Sequence, residues 1–117
     1  IDLRSFEGIN ELRFINLAYN RLKLLDHFVL THLVNLASIH FGENSLKKID
    51  KHTFLNNNLM NYLDLTKNKL GNFDEFVFHG MENSLEYLLL SFNLLIKIKR
   101  YYFHGLNKIK KLSISNN

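Results

Sequence analysis

The chain of 117 residues contains no cysteine and no long apolar stretch. The lack of cysteine excludes thiolate zinc sites and cysteine nucleophiles, but it leaves the compartment open, because a chain with a sufficient core needs no disulfide in any environment. No stretch approaches the roughly 18 consecutive apolar residues of a membrane span, and the start, Ile1-Asp2-Leu3-Arg4, lacks the basic and apolar zones of a signal peptide. We therefore expect a soluble chain without a targeting segment.

Signatures of catalysis are missing as well. The five glycines form no phosphate-binding loop, and there is no Gly-x-Ser-x-Gly elbow. The six histidines include no His-x-x-x-His pair that would suggest a zinc site. With 46% hydrophobic and 22% charged residues, the composition is that of one globular domain. We expect no enzymatic activity, no metal site and no cofactor.

A repeat that ends in asparagine dominates the chain. The pattern Leu-x-x-Leu-x-Leu-x-x-Asn recurs at intervals of 24, 24, 25 and 24 residues, closing at Asn20, Asn44, Asn68, Asn93 and Asn117. We expect one array over 1–117, with partial repeats at 1–11 and 109–117 and full repeats at 12–35, 36–59, 60–84 and 85–108. Neither end carries a polar cap, which predicts an internal slice of a longer array or ends covered by something else.

Each repeat predicts one short strand. Apolar residues such as Ile39 and Phe41 alternate with mostly polar or exposed ones, which indicates a strand with one buried face. Strands of about three residues are unstable alone, so those of successive repeats must pair in parallel and share one core. The asparagine amide both donates and accepts, and stacked asparagines are therefore predicted to bridge the backbones of neighbouring turns.

The second half of each repeat carries apolar columns that we expect to line the back of the core. They are Leu25, Ile49, Phe73 and Ile98; Leu30, Phe54, Phe78 and Phe103; and Leu33, Asn57, Met81 and Leu106, with Phe6 and Ile9 continuing them backward. Asn57 is the one polar member, and we expect a distorted turn there. The extra residue of repeat 60–84 is expected in the loop 82–84.

These repeats resemble the leucine-rich repeat family over the whole chain, and specifically its 24-residue typical subclass. Segments such as Phe78-His79-Gly80-Met81 and Phe103-His104-Gly105-Leu106 are similar to the Phe-x-Gly-Leu element of that subclass. The resemblance implies an α/β repeat solenoid, a horseshoe with a short-stranded parallel sheet on its concave side and an irregular, loop-rich convex side. Two departures are the absence of proline, which is frequent in this subclass, and the absence of cysteine-rich caps.

The same resemblance implies a function, because in animals this subclass occurs chiefly in extracellular regions. It implies a non-catalytic recognition module of an extracellular or cell-surface receptor of the Toll-like type, acting in innate immunity or signalling. An intracellular, cytoplasmic scaffold and a secreted or matrix protein with a structural or self-associating role are the alternatives, and the lack of cysteines and of Asn-x-Ser/Thr sequons permits them.

The concave face is the expected binding surface. Exposed aromatic side chains on an ordered sheet are typical anchors of protein interfaces, although aromatic residues also simply favour strands. The candidate binding residues are Phe14, Tyr19, His40, Tyr62, Lys67, Tyr87 and Phe92. We expect a protein ligand or a second receptor chain as the partner.

A basic end offers an alternative ligand. No acidic residue follows Glu86, whereas six bases do: Lys97, Lys99, Arg100, Lys108, Lys110 and Lys111. Clustered bases attract phosphates, which would suit nucleic acid or another anionic ligand. We disfavour this alternative, because the bases fall partly on the loop and convex side and partly on a strand, so a solvated charged surface explains them more simply.

Overall fold

The computed structural model describes residues 5–117, so residues 1–4 of the predicted partial repeat 1–11 lie outside the described residues. The strands are β1 (Phe14–Asn16), β2 (Leu24–Leu25), β3 (Ser38–His40), β4 (Lys48–Ile49), β5 (Tyr62–Asp64), β6 (Tyr87–Leu89) and β7 (Lys111–Ser113). Two 3-10 helices, His27–Val29 and Arg100–Phe103, lie between strands, and residues 5–117 contain no α-helix.

Five strands form one parallel sheet in the order β1-β3-β5-β6-β7, and β2 pairs with β4 in a second, two-stranded parallel sheet. The register aligns the middle residue of each strand of the larger sheet: Ile15, Ile39, Leu63, Leu88 and Leu112. The flanking residues of each strand point away from the core, because side chains alternate along a strand. The predicted leucine-rich-repeat solenoid, with its short-stranded parallel sheet and irregular convex side, is confirmed.

The core lies between the larger sheet and the second halves of the repeats. The rings of Phe54, Phe78 and Phe103 stack along the array, with centroids 6.4 and 6.1 Å apart. Two expected core residues are instead about half exposed: Ile9 and Ile98. Among the described residues, no further repeat covers Ile9 or Ile98 on the side that faces away from the array. Equivalent residues inside the array are covered on both sides and are therefore buried.

The expected distortion at Asn57 is wrong. Its side chain is fully buried, and Nδ2 donates to the carbonyl oxygens of Leu30 at 3.2 Å and Leu33 at 2.9 Å in the preceding coil. The turn that follows is regular, since Met60 N donates to Asn57 O at 3.0 Å as Leu36 N does to Leu33 O at 3.1 Å. Only Oδ1 lacks a partner. A buried amide can take an apolar position because the carbonyls around it accept its protons.

The longer repeat widens one loop. Leu85 N donates to Met81 O, four residues back, where the corresponding bonds in the two preceding repeats reach back three. The extra residue therefore lies in the loop 82–84, as expected. Gly80 precedes this loop with φ +101, and a Cβ there would lie 2.5 Å from the carbonyl oxygen of Phe54. Only glycine tolerates both that backbone conformation and that approach.

Candidate recognition site on the concave sheet

Four aromatic side chains form a continuous ribbon across the outer face of the larger sheet. Phe14 on β1, His40 on β3, Tyr62 on β5 and Tyr87 on β6 follow one another with ring centroids 5.3, 4.8 and 6.0 Å apart. These separations are those of packed aromatic pairs. The structure thus brings four of the seven predicted binding residues together, one from each full repeat, and we call them the aromatic ribbon.

His40 enters the ribbon from a different strand position. The register pairs Phe14 with Ser38 and Ser38 with Tyr62, so β3 has a serine where its neighbours have a ring. The imidazole of His40, two residues further on, lies between the two rings and stacks on Tyr62 at an interplanar angle of 27°. The small serine leaves the space that the imidazole fills.

Ser38, His40 and Asp64 lie next to one another in space as the three residues of a hydrolase triad do, but their geometry favours a structural role. Ser38 Oγ lies 3.5 Å from His40 Nε2, and His40 Nδ1 lies 3.9 Å from Asp64 Oδ2. Both distances exceed the roughly 2.6–3.2 Å of an activated nucleophile and its base. Asp64 Oδ1 accepts hydrogen bonds from the backbone N–H and the hydroxyl of Thr66, at 2.9 and 2.7 Å. The carboxylate therefore fixes the end of its own strand.

Tyr62 is the most enclosed tyrosine of the ribbon. Burial raises the pKa of its hydroxyl, and the negative charge of Asp64 raises that pKa further. The hydroxyl therefore stays protonated at neutral pH and can both donate and accept a hydrogen bond beside an aromatic face. This combination of apolar body and polar tip is the one that makes tyrosine frequent in protein interfaces.

A second column lies where each strand leaves the sheet. Its members all have a left-handed backbone, with φ between 51° and 58°: Tyr19, Glu43, Lys67, Phe92 and Asn116. Each of these residues stands directly before the asparagine of its repeat. The left-handed conformation costs a residue with a Cβ about 1–2 kcal/mol. Lys67 pairs with Glu43, and that hydrogen bond raises the pKa of Lys67. Tyr19 and Phe92 make no ring contact within residues 5–117, so these predicted binding residues form an edge column separate from the ribbon.

The asparagine ladder holds this edge in place. Asn68 Nδ2 donates to Phe41 O of the preceding coil at 3.0 Å and to two carbonyls of its own coil at 3.2 and 3.1 Å, while Oδ1 accepts from Leu46 N at 2.9 Å. Asn44, Asn93 and Asn117 likewise accept from Leu22, Leu70 and Leu95 of the preceding coil. Asn20 donates only to carbonyls of its own coil. The ladder ties successive coils together and keeps the ribbon on a rigid support.

A hydroxyl cluster beside the ribbon was not singled out from the sequence. Ser91 Oγ lies 2.7 Å from Ser113 Oγ and accepts from Ser115 Oγ at 3.0 Å. Small residues occupy the position of Ser91 in every repeat, as Ala18 and Gly42 do. This recurrence of small residues is the feature of the sequence from which the cluster could have been predicted. The cluster adds hydrogen-bonding groups to one end of the concave face.

Among the six bases after Glu86, Lys111 lies next to the ribbon, since β7 places it in register with Tyr87. Lys110 pairs with Glu86 at 2.8 Å, which raises the pKa of Lys110. Lys99 instead lies over the ring of Tyr101 at 5.5 Å, beside the convex 3-10 helix. The concave face therefore presents ion pairs and the exposed Lys111 side chain around an aromatic centre.

Two histidines outside the ribbon, His79 and His104, have local partners. His79 pairs with Glu82, and the ring of His104 packs edge-on against Phe76 at 6.2 Å. Across residues 5–117, no three His, Asp or Glu side chains lie together in a way that could hold a metal ion. The chemistry that this face offers is that of contact surface, hydrogen bonds and paired charges.

Comparisons with known proteins agree with this architecture. No curated protein matches the sequence. The crystal structure of a TLR13–ssRNA13 complex matches with a TM-score of 0.88 and 29% sequence identity, over 97% of this chain and 17% of that chain. The array thus spans about a sixth of that neighbour's length, and its resemblance to Toll-like receptor ectodomains is confirmed. The family described as "Leucine rich repeat" matches residues 10–70 and 34–95. The chain belongs to the leucine-rich repeat family.

Proposed function

We propose that the protein is a non-catalytic recognition module of an extracellular leucine-rich-repeat receptor, and that its concave face binds a protein ligand or a second receptor chain. The observation that carries this proposal is the aromatic ribbon, which crosses all four full repeats on one hydrogen-bonded sheet. We propose the same seven binding residues that the sequence predicts. The aromatic ribbon forms the centre of this binding surface, and Tyr19, Lys67 and Phe92 form its edge.

The ribbon suits protein recognition because its rings are already ordered. Each ring contacts the next, so few rotamers remain to be lost when a partner covers them. Ion pairs flank it, Glu43 with Lys67 and Glu86 with Lys110, and give the rim polar groups of both signs. An aromatic centre inside a polar rim is the usual anatomy of a protein interface.

The similarity to a Toll-like receptor ectodomain supports a place outside the cell and a role in innate immunity or signalling. None of the helices within residues 5–117 has the length and apolar character that a membrane crossing requires. An intracellular scaffold and a secreted or matrix protein are the rival assignments. Localisation of the full-length protein on intact cells, with an antibody that cannot enter them, separates the first rival from the receptor.

Proximity labelling on cells tests the concave site. The full-length protein and its Tyr62→Ala/Tyr87→Ala variant would be compared, with Phe28→Ala as the control, since Phe28 is an exposed ring on the convex side. We expect the double variant to lose its labelled partners and the control to keep them. Equal labelling by all three proteins would show that the ribbon is not the binding surface.

Single-stranded RNA is a second candidate ligand, and one observation favours it. The structural neighbour is a complex with ssRNA13, and rings spaced like those of the ribbon can stack on bases. Fluorescence anisotropy with a labelled single-stranded oligoribonucleotide decides between the two. Binding that weakens steeply with salt and disappears in Tyr62→Ala/Tyr87→Ala would favour RNA, because phosphate contacts release counterions.

A further inference from the structure

The loop after β6 carries three apolar side chains on its outer surface. Phe92, Leu94 and Ile96 are 51, 57 and 88% exposed, whereas Asn93 and Leu95 between them are buried. Side chains that alternate in this way along an extended segment share one face. We call Phe92, Leu94 and Ile96 the apolar strip.

The strip distinguishes this repeat from the three before it. The equivalent residues are Lys67, Lys69 and Gly71 in repeat 60–84; Glu43, Ser45 and Lys47 in repeat 36–59; and Tyr19, Arg21 and Lys23 in repeat 12–35. Polar residues therefore dominate these positions elsewhere in the array. Repeat 85–108 therefore has an apolar outer edge where the other repeats have a mostly polar one.

The exposure of the strip follows from its position in the coil. Lys47 and Lys69 occupy equivalent positions in internal repeats, with a coil stacked on each side, and they are exposed. The backbone of the strip is held in the regular way, since Leu94 N donates to Leu70 O at 2.9 Å as Lys69 N does to Leu46 O at 2.9 Å. Contiguous apolar side chains on a regular, outward-facing edge are typical of an interaction site.

The charges around the strip determine which partner fits. Lys69 precedes it on the neighbouring coil, Lys97 follows it directly, and no acidic residue occurs after Glu86. Within residues 5–117 neither lysine forms an ion pair. Two copies of the chain that met symmetrically through this strip would bring like charges together, which opposes association. An acidic partner would be attracted.

We propose that the apolar strip is a docking site for an acidic amphipathic segment of a partner protein. Apolar side chains of that segment cover Phe92, Leu94 and Ile96, and its carboxylates face Lys69 and Lys97. The proposal goes beyond recognition by the concave face. The two surfaces share Phe92, but Leu94 and Ile96 belong to the apolar strip alone, and substitutions there test the strip separately from the aromatic ribbon.

The test uses the full-length protein and its Leu94→Ser/Ile96→Gly variant, which removes apolar surface without adding charge. Serine and glycine stand at the equivalent positions in the preceding repeats, as Ser45 and Gly71, so the fold accommodates these substitutions. The probes are two displayed libraries of short peptides with apolar residues along one helix face, one rich in Asp and Glu and the other rich in Lys and Arg. Lys47→Ala serves as the control, since Lys47 occupies the position of Ile96 in another repeat.

We expect binders from the acidic library, with affinity that falls with added salt and drops about tenfold or more in the double variant but not in the control. The proposal is overturned if the acidic library yields no binder, if its binders ignore the double substitution, or if the basic library binds as well. Two other results also overturn it. Concentration-dependent dimerisation that the double variant loses would assign the strip to a second copy, and sedimentation with phosphatidylserine vesicles that it loses would assign the strip to a membrane.

Discussion

Replacing Asn68 with leucine should destabilise the protein through a single backbone donor. The N–H of Leu46 has Asn68 Oδ1 as its acceptor, at 2.9 Å. The three carbonyls that Asn68 contacts keep other donors. Phe41 O still accepts from Asn44 Nδ2 at 3.0 Å, Leu65 O from Asn93 Nδ2 at 2.9 Å, and Thr66 O from Glu43 N at 3.0 Å. One buried group therefore loses its only partner.

The expected loss in the free energy of unfolding is about 1–3 kcal/mol, the cost of a buried donor without an acceptor. Asn68→Asp should cost more at neutral pH, because it places a carboxylate against the carbonyl oxygens that the amide now satisfies. Asn20→Leu is the matched control. Asn20 accepts from no backbone N–H among the described residues, so its replacement should change stability by no more than about 0.5 kcal/mol.

Urea unfolding followed by circular dichroism measures these differences, provided that the slope of each transition stays the same. Equal losses for Asn20→Leu and Asn68→Leu would refute the reasoning, since the cost would then come from the side chain itself and not from the orphaned donor. A neutral Asn68→Leu would refute it as well.

Three further predictions follow from the same contacts. Asn57→Leu should leave the free energy of unfolding unchanged or raise it by up to about 1 kcal/mol, because it removes a buried acceptor that has no partner. A clear fall in the melting temperature would contradict this. Gly80→Ala should cost at least about 2 kcal/mol in urea unfolding and Gly8→Ala, whose Cβ would meet open space, about 1 kcal/mol, so equal costs would exclude a steric clash at Gly80. The raised pKa of Tyr62 means that the fold favours the protonated hydroxyl; this contribution is fully present below pH 10.0 and is lost as pH rises through the folded pKa. Absorbance of tyrosinate is followed in pH titrations of the protein and of its Tyr62→Phe variant, and the difference between them reports Tyr62. This difference should rise above pH 10.0; a midpoint at or below pH 10.0 would show that Asp64 and burial do not act on Tyr62.

The features that recur with the repeat could be predicted from the sequence. A spacing of 24 or 25 residues stacks equivalent positions, so the strand at Ile39 and its parallel pairing with neighbouring strands followed from the pattern, while the resemblance to a known family added the horseshoe. The place of the extra residue near Glu82 followed in the same way, because the flanking strands had to stay in register.

Features that depend on side-chain packing could not be predicted. His40 joins the ribbon because Ser38 leaves a gap, and neither fact is visible in the period of the repeat. Phe92 lies outside the ribbon because its left-handed backbone directs it to the edge, although its residue type matched that of the ribbon. Asn57 was expected to disturb its turn, and only the position of the preceding coil's carbonyls shows why it does not.

The ladder has a direction, and that direction matters while the protein is being made. Each buried amide finds its acceptor on an asparagine 22 or 23 residues further along the chain, as Leu46 does on Asn68. A chain that emerges from the ribosome therefore completes every coil only when the next one has been synthesised. The last coil synthesised therefore has one backbone donor without a protein acceptor, and the asparagine of the next coil supplies that acceptor.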